Sequence, residues 1–571
     1  MWKETVKKWV FRCRLKVTPK GLIPEKTDWY ILADKDYPWG DIEFHPAKEG
    51  GLTYTFPHQL YNAIGNENVP WRDGKICMRT PMRNSGHVAY DIEPFNVDER
   101  LHWLILRARG WLEAASEGRV AEEGEPFELP ELPRLIFEMV GFVEDEESFR
   151  FWQEQPISFG VAKLVCPENI NYWNVVSSFS NERDQIIRKC KFGVMLSKPS
   201  IIETSAMWIR IPEVPVIPPW QFPDTFGELR SVMAKQEIDF DNIFRSLAHR
   251  FRDRRRHILL VGFPIPNMVG GENHLYYWQG LRLPLLTHGG LKRSRPIEAG
   301  NAKNNIPNVI NDDVKIDWIT SRNWAENQIR TRGRASPQLE NAKILLVGGG
   351  ALGASIAELL IREGCKELKL VDGDIIDIGN LSRHTLSLQH ICKRKATMLA
   401  EKLNDISPHA TVQGLIQEFH KRTENEERQM AEYDIVIDCT GDDRVAYEMS
   451  IFPWKGNKLF VSASFGINAH RLFLFVSKSD SFPHAEFVRT VNPWLHKELS
   501  ENEGLILPRE GIGCWHPVFP ARSDDIWLMG SVAAKCINEW AIKPPCSQIL
   551  RVYEQNIKDG ILTGINMVTE S

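Results

Sequence analysis

The chain has 571 residues, more than one hydrophobic core usually serves, so two to four domains are expected. Lys plus Arg number 70 against 75 Asp plus Glu, a formal net charge of -5, which removes any global electrostatic case for nucleic acid or an anionic membrane. With no long apolar span, no signal-peptide core near Met1 and ten cysteines without repeated spacing, a soluble cytoplasmic protein with reduced thiols is expected.

Residues 1–141 open with strand-like runs at 9–17, 29–33, 41–45 and 52–56. A helix follows, in which Leu101, Leu104, Ile105, Ala108, Trp111, Leu112 and Ala115 recur at three- and four-residue spacing. Asp98 is placed to cap its amino end and Gly118 its carboxy end, so this domain is expected to be α+β. Residues 142–313 are rich in Pro and Trp, with a stretch at 211–219 too Pro-dense for helix or central strand. A strand is expected at 257–264, behind Arg254-Arg255-Arg256, which reads as a solvated helix end with anion binding as the alternative. Residues 293–313 read as a linker.

Residues 314–571 carry the strongest local pattern. A buried strand at 344–347 runs into Gly348-Gly-Gly-Ala-Leu-Gly353, an amphipathic helix at 354–363 and a second strand at 368–371 that ends on Asp372. Glycines at 348, 350 and 353 permit the tight turn and let phosphates reach the helix amino terminus, while Asp372 stands where a carboxylate holds a ribose hydroxyl. An NAD-dependent dehydrogenase would carry the same fingerprint. The residues that follow decide against it: Asp374, then Asn380-Leu-Ser-Arg383, then Lys395, then the run from Asp434 to Asp442. Hydride transfer needs no such Asn, Arg and Lys, whereas attack of a carboxylate on the α-phosphate of ATP needs cations for the phosphates and an Asp for magnesium.

On these residues, 316–555 resemble the ThiF/MoeB and ubiquitin-activating enzyme family. The resemblance implies a Rossmann-like α/β fold that uses ATP and Mg2+, with Asp372 on ribose, Asp374 beside it, Asn380, Arg383 and Lys395 on phosphates, and Asp442 as the magnesium ligand. The family also lends an arginine from before the first strand, often across a dimer interface; Arg330, Arg332 and Arg334 all qualify, and Arg332 stands here for the three. His384 occupies the family's usual Gln, Cys392 falls near a usual Gly, and Asp442 aligns only with one extra residue after Thr440. No Cys-x-x-Cys pair occurs, so no zinc is expected.

Two thiols are candidate nucleophiles. Cys514, in Gly511-Ile-Gly-Cys-Trp-His-Pro, follows a polar stretch at 492–511 and precedes a helix at 531–540, where an activating enzyme's crossover loop presents its cysteine. Cys536, Cys365, Cys392 and Cys439 read instead as buried apolar thiols. Cys77 lies in Trp71-Arg-Asp-Gly-Lys-Ile-Cys-Met78; with Tyr37-Pro-Trp-Gly-Asp-Ile-Glu-Phe-His-Pro and Phe56-Pro-His58 upstream, residues 9–130 resemble the ubiquitin-conjugating fold, without its His-Pro-Asn order.

A conjugating-like domain (1–141), a linker or partner-binding domain (142–313) and an activating-like domain (314–571) together resemble the bacterial fusion ligases of type II CBASS antiphage operons. That resemblance implies adenylation of a protein's carboxy terminus, a relay through Cys514 and Cys77, and conjugation to a lysine amine, with a cGAS-like nucleotidyltransferase as the activated protein and a homodimer as the assembly. A sulfur-carrier adenylyltransferase that stops at the adenylate and a nucleotide-switched adaptor are the alternatives.

Overall fold

The computed structural model describes residues 1–78, 93–168, 170, 172–198, 201–251, 253–286, 310–509 and 518–570, which form two units: Met1–Cys190 with Ile202–Ala325, and Lys191–Ile201 with Glu326–Ser571.

The first unit begins with an antiparallel meander of Lys8–Lys16, Lys26–Asp34 and Ile42–Pro46, edged by the short strand Trp2–Lys3. Trp29, Ile31 and Phe44 on one face meet Leu104, Ala108 and Leu112 of the helix Arg100–Glu117, whose four-residue repeat presents a single buried stripe. Each large apolar side chain so buried contributes about 1.5–3 kcal/mol. Gly118 ends the helix at φ 69, the left-handed cap that favours glycine. Asp98 is not the amino cap; that position falls to Glu99, without a side-chain capping bond. Residues 52–56 form no strand, because Asn62 Nδ2 donates to the carbonyls of Leu52 (2.8 Å) and Tyr54 (2.9 Å), occupying acceptors a ladder would have used.

A closed barrel follows. Its strands run in the order Leu135–Phe142, Asp317–Asn323, Asn273–Arg282, Ile258–Pro266, Ile201–Arg210, Phe159–Pro167 and Trp173–Ser180, and the last pairs back on the first through Met139 and Trp173. The first two of these strands flank the 142–313 stretch. Inside, the fully buried Glu144 carboxylate accepts from Trp278 Nε1 at 2.8 Å, Trp152 Nε1 at 3.0 Å and Arg188 at 3.0 Å. Burial raises the pKa of this carboxyl, and three donors offset what burying it costs. The Pro-dense 211–219 stretch is neither helix nor central strand, Arg254, Arg255 and Arg256 are exposed just beyond the helix Phe240–Ala248 and the 3-10 turn His249–Phe251 that continues it, and most of 293–313 lies outside the described residues.

The second unit is a doubly wound sheet. Thr411–Leu415, Glu367–Val371, Lys343–Val347, Ile435–Asp438 and Lys458–Phe465 are parallel, and Arg471–Ser479, Ile549–Lys558 and Ile561–Glu570 continue antiparallel. Ala351–Glu363, Lys395–Ile406 and Ser523–Ile542 cover one face; Asp443–Ile451 and His484–Glu501 cover the other. The last of these takes in part of the polar stretch at 492–511. Segment Lys191–Ile201 packs here too: Gly193 N donates to Pro408 O at 2.7 Å, so close that a Cβ on Gly193 would stand 1.9 Å from Ala410 O. Among the described residues no helix is long and apolar enough to cross a membrane.

Candidate adenylation and thioester sites

In the second unit the site forms at the carboxy ends of the parallel strands, where ligands lodge in open α/β sheets. The three fingerprint glycines have three separate reasons. Gly348 takes φ 90; Gly353 packs so that a Cβ would lie 2.0 Å from Gly348 O; and Gly350, capping the helix, has open space where a Cβ would stand. The open side at Gly350 faces a cavity of about 210 Å3 lined by Asn380, Arg383, His384, Lys395, Phe465 and Phe519. Four of the expected nucleotide-binding residues, Gly350, Asn380, Arg383 and Lys395, therefore converge on one space.

Asp372 anchors the loop. Its Oδ2 accepts from Gly349 N at 2.7 Å and its Oδ1 from Asp374 N at 2.8 Å, and burial raises its pKa. Lys395 Nζ, nearly buried, lies 3.0 Å from Asp374 Oδ2, whose side chain is 73% exposed; the ion pair holds the lysine head at the mouth of the site. Asn380 Oδ1 accepts from Asp377 N at 3.1 Å, and Arg383 donates to Phe519 O. Asp442 caps the helix Asp443–Ile451, its Oδ1 accepting from Arg444 N at 2.8 Å. Asp438, buried behind it, accepts from Thr440 and from Ser462 Oγ (3.0 Å), and burial raises its pKa.

His384, a departure from the family pattern in the sequence, is part of the loop's support. Its Nε2 donates to Gly349 O at 2.7 Å and its Nδ1 accepts from Leu386 N at 3.1 Å. An amide side chain offers the same donor and acceptor, which accounts for a His where Gln is usual. Sequence reasoning missed Phe465, Phe519 and Ile526, which line the cavity from distant parts of the chain.

The three arginines before the first strand separate clearly. Arg330 is buried and donates to Ser407 Oγ at 3.1 Å, Arg334 pairs with Glu340 at 2.6 Å, and Arg332 is exposed and makes no such bond among the described residues.

Cys514 lies outside the described residues. On either side of it, Val518 N donates to Pro508 O at 2.7 Å. Of the thiols read as buried, Cys365 is pushed up to about 12 by burial, Cys439 well above its ordinary value, and Cys536 is raised for the same reason. Cys392 corrects the expectation: it is exposed, at φ 64, a left-handed turn position that explains the family's glycine nearby. Among the described residues no group of three or more His, Cys, Asp or Glu side chains is arranged to hold a metal ion.

In the first unit Cys77 is exposed on the wall of a cavity of about 820 Å3. Its amide donates to His58 O at 2.8 Å, beside the antiparallel bridge of Gln59 and Ile76. His58 takes φ 53, and its Nδ1 lies 3.2 Å from Glu128 and its Nε2 3.7 Å from Glu125. Glu43, on the same wall, is held well below the usual carboxylate range by His45 first and then by Lys75 and Lys8. Asn62, the nearest asparagine in sequence to Pro57-His58, is 3% exposed and committed to backbone carbonyls and to Arg72.

Comparison with known proteins follows the same division. A model of the Cap2 central linker domain matches residues 118–324, and the ThiF family model matches residues 321–480. The chain is 32% identical over 551 residues to the ATP-dependent ubiquitin transferase-like protein Cap2 of Enterobacter hormaechei subsp. hoffmannii (strain UCI 50), spanning 95% of this chain and 90% of that one. It is 37% identical over 139 residues to a protein of the same description from Escherichia coli (strain TW11681), 24% of this chain and 22% of that protein. Among solved structures it is similar to E. coli MccB with ATP at a TM-score of 0.28 and 14% identity, over 40% of this chain and 64% of the other. The α/β ThiF domain and the fusion expected from the sequence are both borne out, and the chain belongs to the family of ATP-dependent ubiquitin transferase-like Cap2 proteins.

Proposed function

We propose that this chain adenylates the carboxy-terminal carboxylate of a protein, passes the acyl group to Cys514 and then to Cys77, and conjugates it to a lysine amine of a target. A carboxylate oxygen attacks the α-phosphorus of ATP and pyrophosphate leaves; the Cys514 thiolate attacks the mixed anhydride and AMP leaves; the Cys77 thiolate displaces Cys514; the amine displaces Cys77. The loop N–H groups at the helix amino end receive the phosphates, Asp372 has lone pairs left for a ribose hydroxyl, and Asn380, Arg383 and Lys395 meet the charge that develops on pyrophosphate. Arg332, exposed and without a bonded partner among the described residues, is the arginine that serves the nucleotide, from its own chain or from the second chain of a homodimer.

Asp442 keeps one carboxylate oxygen free of hydrogen bonds among the described residues, which suits a magnesium ion whose other ligands are phosphate oxygens and water. Bound there, Mg2+ would neutralise charge on the triphosphate.

The observation that carries this reading is the convergence of Gly350, Asn380, Arg383 and Lys395 on one cavity, in a chain that also exposes Cys77 in another. The protein activated is, on this reading, a cGAS-like nucleotidyltransferase. The test is pyrophosphate exchange into ATP with that partner, intact or shortened by its last residues. Exchange that needs the intact carboxy terminus supports the reading; equal exchange with both forms contradicts it.

A further inference from the structure

We infer that His58, flanked by Glu125 and Glu128, is the base that takes the proton from the attacking lysine amine when Cys77 releases its acyl group. This assignment rests on the proposed conjugating activity of Cys77 and deepens it. Asn62, whose amide cannot take a proton, is spent on Leu52, Tyr54 and Arg72. His58 stands opposite Cys77 beside the Gln59–Ile76 bridge: its carbonyl receives the Cys77 amide at 2.8 Å, and both residues line the same cavity.

One further feature sets it apart from a surface histidine. Its two ring nitrogens face Glu128 at 3.2 Å and Glu125 at 3.7 Å, so whichever nitrogen gains a proton meets a carboxylate. The rest of the wall suits an incoming amine. Asp41 and Glu131 add carboxylates, whereas Lys75 and Arg100 are each neutralised at 2.7 Å, by Glu43 and Glu93.

The step balances. The amine lone pair forms a C–N bond to the thioester carbonyl, the C–S bond breaks with its electron pair leaving on Cys77 as thiolate, and the surplus proton of the nitrogen passes to the His58 imidazole and from there to solvent. The two glutamates stabilise the imidazolium and set its orientation.

The test separates loading from discharge. In a Cys514→Ala background, a short synthetic peptide with a C-terminal mercaptoethanesulfonate thioester loads Cys77, peptide mass mapping verifies the site, and free L-lysine is the acceptor. His58→Asn tolerates the left-handed backbone but cannot carry the proton. It is expected to let the Cys77 thioester accumulate and to slow discharge about 100-fold, the usual range for losing a general base. Loading of Cys77 should keep its wild-type rate while discharge slows, a split a merely structural role would not produce. Discharge at the wild-type rate, or loading slowed as much as discharge, overturns the assignment. If His58→Asn does not load, the Glu125→Gln/Glu128→Gln variant carries the test, with a several-fold slowing of discharge at an unchanged loading rate expected. A wild-type protein that loads no thiol-sensitive adduct on Cys77 contradicts the conjugating reading itself, and this inference with it.

Discussion

His384 Nε2 donates to the carbonyl oxygen of Gly349 at 2.7 Å, tying the glycine-rich loop to the segment that carries Asn380 and Arg383. Because Nδ1 also accepts from Leu386 N, the ring is held neutral, and burial depresses its pKa to about 4. Against an unfolded value of about 6.5, the unfolded chain takes up a proton that the native one refuses between these values. Stability therefore falls as pH drops from about 6.5 to 4, by up to about 3 kcal/mol from this group. His384→Gln lacks that titration, so the stability of the native chain relative to this variant should decline over the same window in urea unfolding; a flat difference would contradict the burial argument. His384→Gln should keep ATP binding, whereas His384→Ala should raise KM for ATP about tenfold, the equivalent of one lost hydrogen bond.

Lys395 is held at the cavity mouth by Asp374, a partner whose side chain is largely exposed. Lys395→Met should lower the rate of pyrophosphate exchange about 100-fold or more, in line with removing one preorganised charge from a transition state. Asp374→Asn should change the rate far less, because it orients the lysine without carrying the charge.

Arg332 makes no ion pair or hydrogen bond among the described residues, while Arg330 and Arg334 are engaged within their own unit. Arg332→Ala should abolish most exchange. If the arginine acts across a dimer, mixing inactive Arg332→Ala with inactive Lys395→Met chains restores activity, because one site of each mixed dimer then has every group. If it acts within its own chain, the mixture stays inactive.

Gly353→Ala would set a methyl 2.0 Å from Gly348 O, against backbone that has no room to yield. It should destabilise the second unit by about 1–3 kcal/mol, the usual cost of overpacking, and weaken ATP binding because the loop must shift. Urea unfolding with and without ATP measures both effects.

Much of the activating domain was legible because its requirements are local. The glycines, Asp372 and the helix Ala351–Glu363 sit within one βαβ unit, so spacing alone announces them. The repeat Leu104, Ala108, Leu112 announced the first helix in the same way. The barrel was not legible, since its closure depends on Met139 meeting Trp173 and Trp318 meeting Leu135, pairings set by long-range packing that no local period records. Residues 52–56 misled because their apolar alternation is that of a strand, while the group that satisfies them is the Asn62 amide. The helix His484–Glu501 was half hidden by Pro493 within it and by a largely solvated polar face. At the Cys77 site the thiol stood out in sequence, but Glu125 and Glu128 did not, because only the fold brings them to His58.

The most direct test of the two-thiol relay is the intact mass of the chain co-expressed with a cGAS-like nucleotidyltransferase and kept free of reducing agent, alongside Cys77→Ala and Cys514→Ala. The account predicts a thiol-sensitive adduct of partner mass on the wild type, its loss in Cys514→Ala, and its confinement to Cys514 in Cys77→Ala. No adduct on any of the three, with pyrophosphate exchange still running, would contradict the relay and reduce the activity to adenylation alone.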